Sequence, residues 1–167
     1  MNQTIKKPCD CTAQELTAFE AMVTEGGEVN PVGPPQRIRN AAFLMFLFDD
    51  DCSLIGVSAL KHPNPEYREE AFTSASSVLL PDDYDLELGW IFVAESHRGR
   101  GLSRELVEHL IAHVETARIY ATTREANLPM RRTNERCGFR LEGSPYRSKL
   151  GNYSLVLYVR SSQSNAA

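Results

Sequence analysis

Residues 86–113 read LELGWIFVAESHRGRGLSRELVEHLIAH, and the order in which their character changes decides the fold. Leu86–Val93 is an apolar run of the kind that forms a strand. A polar turn follows at Ala94, Glu95, Ser96 and His97. Arg98, Gly99, Arg100 and Gly101 then open a helix over 102–114, in which Leu102, Leu106, Leu110 and Val114 recur at helical spacing. The first turn of a helix leaves N–H groups without intrahelical partners, and the helix dipole places partial positive charge there. Glycine lets a ligand approach that backbone. With Arg98, Arg100 and Arg104 adding whole charges, the segment is a candidate phosphate-binding loop.

The rest of the composition is that of an ordinary globular chain. A length of 167 residues suits one domain that buries most of its apolar surface without staples. A net charge of −4 argues against non-specific attraction to nucleic acid. The opening MNQTIKKPCD has two lysines and no apolar stretch after them, so no secretory signal is expected. The longest apolar run, Ala41–Phe48, is far too short to span a bilayer. The expectation is a cytoplasmic protein with neither nucleic acid nor membrane as partner. Cys9, Cys11, Cys52 and Cys137 make no disulfide framework, and no histidine spacing completes a metal set with them. Reduced thiols and no metal site are expected.

In chain order, residues 3–7 suggest a first strand. Thr12 with Glu15 fits a capping box ahead of a helix that Gly26-Gly27 closes. Residues 28–40, with Pro31, Pro34 and Pro35, read as a loop with a short turn near Arg37. Ala41–Phe48 and residues 53–60 flank the polar turn Asp49-Asp50-Asp51-Cys52, a hairpin signal with both strands central. Residues 62–83 are the least regular, with a short helix near 66–71. A strand over 118–122, a helix over 127–137 closed by Gly138, and strands at 139–142 and 153–160 complete the pattern. The reading is one domain over residues 1–160 with a disordered tail at 161–167. Strand–helix–strand–helix after a hairpin argues for a mixed α/β sheet with helices on both faces.

Arg98-Gly99-Arg100-Gly101-Leu102-Ser103 resembles the acyl-CoA pyrophosphate loop of the GNAT superfamily of N-acyltransferases, whose pattern is Gln/Arg-x-x-Gly-x-Gly/Ala. Ser103 at the last small position is a mild departure. Asn127-Leu128-Pro129-Met130 through Asn134-Glu135-Arg136-Cys137-Gly138-Phe139 is similar to the family's other CoA segment, in which an Asn begins a helix and a Tyr precedes Gly-Phe. The resemblance is specific between residues 86 and 139 and topological elsewhere. It implies a GNAT-like, mostly antiparallel twisted sheet of six to seven strands, with acetyl-CoA as co-substrate and no metal.

Carried over residue by residue, the resemblance puts the pyrophosphate at Arg98, Gly99, Arg100, Gly101, Leu102, Ser103 and Arg104. The pantetheine arm would pair like an added strand with the backbone of Ile91, Phe92 and Val93, the Val93 N–H polarising the thioester carbonyl. Asn127 would touch the pantetheine; read from its residues alone it is an N-cap, with Pro129 tolerated in the first turn. The family's Tyr, a proposed general acid for the departing thiolate, falls at Asn134. An Asn amide donates a hydrogen bond to sulfur but not a proton. A thiol pKa of about 8.5 makes the thiolate a tolerable leaving group even so.

The acceptor sets a harder demand. An alkyl ammonium with a pKa of about 10.4 costs roughly 4.6 kcal/mol to deprotonate at pH 7, so a base is worth having. Glu87 is the candidate. In a regular strand it shares a side with Gly89, Ile91 and Val93, and it lies where many GNAT enzymes carry a base. Its bland alternative is a strand-end carboxylate facing water, and Asp85 is the reserve. Seven acidic residues against one arginine from position 66 to 87 suggest a cationic amine acceptor. The expected activity is transfer of acetyl from acetyl-CoA to a primary amine, small or on a lysine or N-terminus, by direct attack; a homodimer is a family expectation. The alternative is a non-catalytic acyl-CoA-binding module of the same fold. A toxin-like acetyltransferase acting on charged tRNA is disfavoured by the net charge.

Other constellations carry less. His109 and His113 lie one turn apart at the edge of the apolar stripe, without the glutamate of a metalloprotease helix. Gly99-x-Gly101 lacks the third glycine of a dinucleotide fingerprint. Six arginines against two acids over 118–140 lack the aromatic interleaving of a nucleic-acid face.

Overall fold

The computed structural model describes residues 1–27 and 34–161. The tail expected over 161–167 lies outside them from 162 onward, and so does the 28–33 part of the loop expected over 28–40. Seven strands are hydrogen-bonded in the order β1-β2-β3-β4-β5-β7-β6, a mixed and mostly antiparallel α/β sheet with helices packed on it. The six to seven strands anticipated from the sequence resolve to seven. By their contacts the residues group into two compact units, with β4 (Leu86–Val93) running through both: residues 86–88 belong to the second unit and 89–93 to the first. Among the described residues, no helix is long and apolar enough to cross a membrane.

The first unit holds β1 (Asn2–Lys6), α1 (Ala13–Glu25), α2 (Pro34–Arg39), β2 (Ala41–Phe48), β3 (Leu54–Lys61) and α4 (Leu102–His113). The capping box forms as read: Glu15 N–H donates to Thr12 Oγ1 at 3.2 Å, and Thr12 N–H donates to Glu15 Oε2 at 2.8 Å. The hairpin is antiparallel, with Met45 opposite Ser58. Asp49 closes its turn by accepting from the N–H groups of Asp51 and Ser53 at 3.0 and 2.8 Å. The proline-rich stretch is a correction: residues 34–39 form a helix rather than a loop, begun by Pro34, because proline at the first helical position loses no hydrogen bond.

Phe19 of α1 meets Phe46 of β2 edge-on at 5.5 Å between ring centroids, and Phe92 packs in the same cluster. Leu102, Leu106, Val107, Leu110 and Ile111 form the buried stripe of α4. The helix comes so close to β3 that a Cβ on Gly56 would lie 3.2 Å from Leu106 Cδ1, and the Phe92 carbonyl of β4 would be 3.3 Å away.

The second unit holds α3 (Pro65–Ser74), β5 (Ile119–Arg124), α5 (Leu128–Arg136), β6 (Arg140–Arg147) and β7 (Ser154–Arg160), together with the start of β4. The β4–β5 pair is parallel, with Leu86 opposite Ile119 and Glu87 opposite Tyr120. β7 inserts antiparallel between β5 and β6. The strand read as 139–142 runs on to Arg147 through an irregularity between Glu142 and Tyr146. Gly143 sits there at φ +65°, and a Cβ on it would lie 2.0 Å from the Ala75 carbonyl. Ser144 N–H donates to that carbonyl at 2.8 Å, tying β6 to the end of α3. Phe72, Ala75, Tyr84, Tyr120, Leu157 and Val159 form this unit's core.

Candidate active site

Within the first unit, β4 leaves regular geometry before it reaches the loop. Trp90 has φ +53°, a left-handed conformation that costs a bulky residue strain. The side-to-side alternation that put Glu87 with Ile91 and Val93 therefore does not carry through Trp90, a correction to the regular-strand reading. Phe92 and Val93 bury their side chains and Ile91 is half-buried. What the strand end presents is backbone. Ala94 N–H donates to the Ile55 carbonyl at 2.8 Å, holding that end against β3.

Beyond it, Gly99 and Gly101 stand at φ +79° and +80°, and neither would meet an atom within 4 Å if it carried a Cβ. Glycine is required there by backbone conformation, not by crowding. Left-handed residues at the entry to a helix gather successive N–H groups into an anion-binding concavity. Arg104 and Glu105 N–H make the first helical bonds, both to the Gly101 carbonyl. The N–H groups of Leu102 and Ser103 precede them and have no intrahelical partner. Leu102 contributes only backbone, its side chain being 3% exposed, and Ser103 is half-buried.

The three arginines at the loop are engaged differently. Arg98 turns back, donating Nε to the Val93 carbonyl at 3.0 Å and laying its guanidinium over Phe92 at 5.4 Å from the ring centroid. Arg104 Nε donates to Glu108 at 2.6 Å. Arg100 is exposed.

Within the second unit, Glu87 is 7% exposed, a buried carboxylate and not the water-facing strand-end group of the bland reading. Asp85 is exposed, its N–H donating to the Arg118 carbonyl at 3.0 Å. The parallel register sets Glu87 beside Tyr120, and strand alternation puts Thr122 on the same face as Tyr120. Tyr67 of α3 reaches that face, its hydroxyl 2.8 Å from Thr122 Oγ1. Tyr146, opposite Leu155 on β7, lies there too and packs against the same core.

Burial first, and the charge of Glu87 second, push the Tyr67 phenol up to about 12. The same two causes raise Tyr120 further. Burial, followed by the charges of Tyr67, Glu70 and Glu87, raises Tyr146. All three remain neutral hydroxyls at ordinary pH. The Tyr120 hydroxyl is near enough to feel Glu87 as a hydrogen-bonding neighbour, yet neither it nor that of Tyr146 completes an aligned hydrogen bond among the described residues. A buried hydroxyl left so costs about 1–3 kcal/mol. These tyrosines escaped sequence reading because only the β4–β5 register brings Tyr120 beside Glu87. The Tyr120-x-Thr122 alternation was the one available signal.

Asn127 caps α5, its Oδ1 accepting from Met130 N–H at 3.2 Å. Asn134 is fully buried, and its amide donates to Thr123 Oγ1 at 3.1 Å. One amide N–H of Asn134 is thus committed to Thr123, and the whole side chain, its second N–H included, is 0% exposed. His109 and His113 are exposed, His113 meeting Phe43 edge-on. None of the four cysteines is in a disulfide, and Cys137 is buried.

A family model described as the acetyltransferase (GNAT) family matches residues 16–139. No curated protein sequence matches the chain. Among solved structures, a GNAT-family acetyltransferase from Streptococcus agalactiae is similar with a TM-score of 0.71 at 17% identity, covering 97% of this chain and 96% of the other. An acyl-CoA N-acyltransferase from Pseudomonas aeruginosa is similar with a TM-score of 0.67 at 18% identity, covering 96% and 99%. The ribosomal-protein-S18-alanine N-acetyltransferase from Escherichia coli is similar with a TM-score of 0.64 at 17% identity, covering 99% of each. At these identities the likeness shows the fold.

Proposed function

The chain belongs to the GNAT acetyltransferase family, and from that premise we propose that it transfers an acetyl group from acetyl-CoA to a primary amine by direct attack. The observation that carries the reading is the loop at Gly99 and Gly101, whose left-handed glycines open the N-terminus of a twelve-residue helix. The loop fits a pyrophosphate: unpaired N–H groups at Leu102 and Ser103, open space over both glycines, and the exposed guanidinium of Arg100. Backbone at Ile91 and Val93 suits an extended pantetheine arm, and Asn127 is assigned the family Asn's contact with it on the likeness of its sequence segment.

Acetyl-CoA supplies, when bound, the thioester that the amine attacks. The ammonium gives one proton to the Glu87 carboxylate, the freed amine's N–C bond forms as the C–S bond breaks and the thiolate leaves with its electron pair, and the second proton, shed from nitrogen as the amide forms, passes through water to the thiolate. The enclosed place of Glu87, 7% exposed and beside Tyr120 in the β4–β5 register, supports the assignment. Asn134 is assigned no proton transfer, and a thiolate leaving group near neutrality needs none. The acidic edge of α3, with Glu66, Glu69 and Glu70, favours a cationic acceptor.

A second reading, acyl-CoA binding without turnover, is favoured by one observation: residue 134 offers no acid and is sealed inside. Thermal unfolding with acetyl-CoA, followed by thiol release over an amine panel with wild type and Glu87→Gln, separates the two. Ligand at about a hundred times its dissociation constant adds about 2.7 kcal/mol, a midpoint rise of roughly 5–10 °C for a chain of this size. A rise with amine-dependent thiol release that E87Q abolishes supports transfer. A rise without release supports the binding module, and no rise removes both.

A further inference from the structure

Tyr120, on the interior strand β5, is 0% exposed and with Tyr158 among the largest fully buried side chains of the described residues. Its ring belongs to the second unit's core with Phe72, Leu157 and Val159, and it meets Phe72 edge-on at 5.6 Å. A phenylalanine would fill that place as well. The hydroxyl instead ends beside a buried carboxylate, because parallel register makes Tyr120 the direct neighbour of Glu87. It completes no aligned hydrogen bond among the described residues, so in this resting arrangement it lowers stability. A buried polar atom retained at such a cost is where a stability–activity trade is expected.

We propose that Tyr120 is a positioning residue for Glu87: its hydroxyl, anchored in the core, meets the carboxylate and fixes the rotamer in which it receives the acceptor's proton. This rests on the reading of Glu87 as the base. The aromatic ring cannot swing, packed as it is, so the hydroxyl is a fixed donor and the flexible glutamate adjusts to it. Because burial and the adjacent carboxylate both raise its pKa, the phenol stays protonated and keeps its proton to donate. Tyr67 and Arg68 from α3 act on Tyr120 and Tyr146 from β6 feels Glu87, with Glu70 of α3 and Tyr153 of the β6–β7 turn one step further out, acting on Tyr67. Tyr67 and Thr122 are engaged with one another, and Tyr120 is the hydroxyl that the β4–β5 register sets directly beside the carboxylate.

The test compares Tyr120→Phe, Thr122→Val and Glu87→Gln with wild type in stability, acetyl-CoA binding and the pH profile of kcat/KM. With Y120F we expect an unchanged or higher Tm, unchanged acetyl-CoA affinity and KM, and a kcat lower by on the order of 10- to 100-fold. A hydrogen bond to the ionised form lowers a carboxylate pKa, so its loss moves the acid limb up by roughly half to one pH unit. T122V, on the same strand face, should leave that limb in place. Should Y120F not fold, 3-fluorotyrosine at position 120 keeps the ring and strengthens the donor, moving the limb down. Y120F with wild-type kcat and acid limb overturns the proposal, as does a loss of kcat that only tracks a falling Tm. Full activity in E87Q would instead remove the base assignment itself, whatever Y120F does.

Discussion

Arg98 closes back on the strand that precedes it, Nε donating to the Val93 carbonyl at 3.0 Å while the guanidinium covers Phe92. The same side chain thus holds the end of β4 and lends charge to the glycine loop. Arg100, exposed two residues on, has only the second part to play. Arg98→Ala is expected to lower stability by about 1 kcal/mol, roughly 2–4 °C in Tm, and to weaken acetyl-CoA binding. Arg100→Ala is expected to weaken binding with Tm unchanged. Calorimetric titration beside thermal unfolding checks the pair, and equal Tm values for the two variants would remove the structural role given to Arg98.

The loop glycines make a sharper test of backbone conformation. A Cβ at Gly101 meets nothing within 4 Å, so Gly101→Ala introduces no clash and reports only the cost of φ +80°. That cost is about 1–2 kcal/mol. Relief of the strain by moving toward negative φ would turn the helix-entry N–H groups away from a bound anion. G101A should therefore lose Tm by roughly 2–8 °C and bind acetyl-CoA more weakly. An alanine variant with wild-type affinity would mean that the N–H groups of this turn do not hold the phosphates.

How much of this was legible follows from the range of the forces involved. β4 and α4 were readable nearly to the residue because their signals are local: an apolar run, two glycines, and leucines at helical spacing. The capping box of Thr12 and Glu15 was legible for the same reason. Helix α2 was not, because Pro34 and Pro35 break helices in most contexts and are harmless only at a helix start. The far half of β6 was missed because Gly143 and Pro145 punctuate like a turn, whereas the irregularity there fits around the Ala75 carbonyl. The glycine loop and Glu87 could be named from sequence. The ring of tyrosines about Glu87 could not, since it exists only through the register of β4 on β5 and the docking of α3. The inward use of Asn134 was hidden likewise, because helix periodicity does not reveal which polar side chain finds Thr123.

Asn134 itself predicts a separation of stability from chemistry. Its amide N–H donates to the Thr123 hydroxyl 3.1 Å away in the interior, while its Oδ1 is buried with no partner among the described residues. Asn134→Ala strands the hydroxyl and leaves a small void, a loss of about 1–3 kcal/mol. The double variant Asn134→Ala with Thr123→Val should recover part of that loss, and thermal unfolding of the four-member cycle measures the coupling. If Asn134 takes no part in thiolate departure, kcat at a temperature where both proteins are folded stays near wild type. A kcat that collapses in N134A without a matching loss of stability would return Asn134 to the chemistry.

The tyrosines set an alkaline limit on the fold. Tyr67 rises from the ordinary phenol value to about 12, by burial first and by the charge of Glu87 second, and Tyr120 and Tyr146 are raised chiefly by burial as well. A group whose folded pKa is raised contributes stability that is fully present below its unfolded pKa of about 10. Above that pH the unfolded chain ionises first, so stability falls as pH climbs from about 10 toward the folded values. Below it these three groups impose no pH dependence. Wild type should lose Tm steeply above about pH 10, with phenolate absorbance of the buried rings appearing together with unfolding and not before it. Tyr67→Phe should flatten that decline while costing some stability at neutral pH, because Thr122 loses its partner at 2.8 Å. Phenolate absorbance that rises smoothly ahead of unfolding would show these hydroxyls open to solvent, and would undercut the sealed surroundings on which the roles of Glu87 and Tyr120 depend.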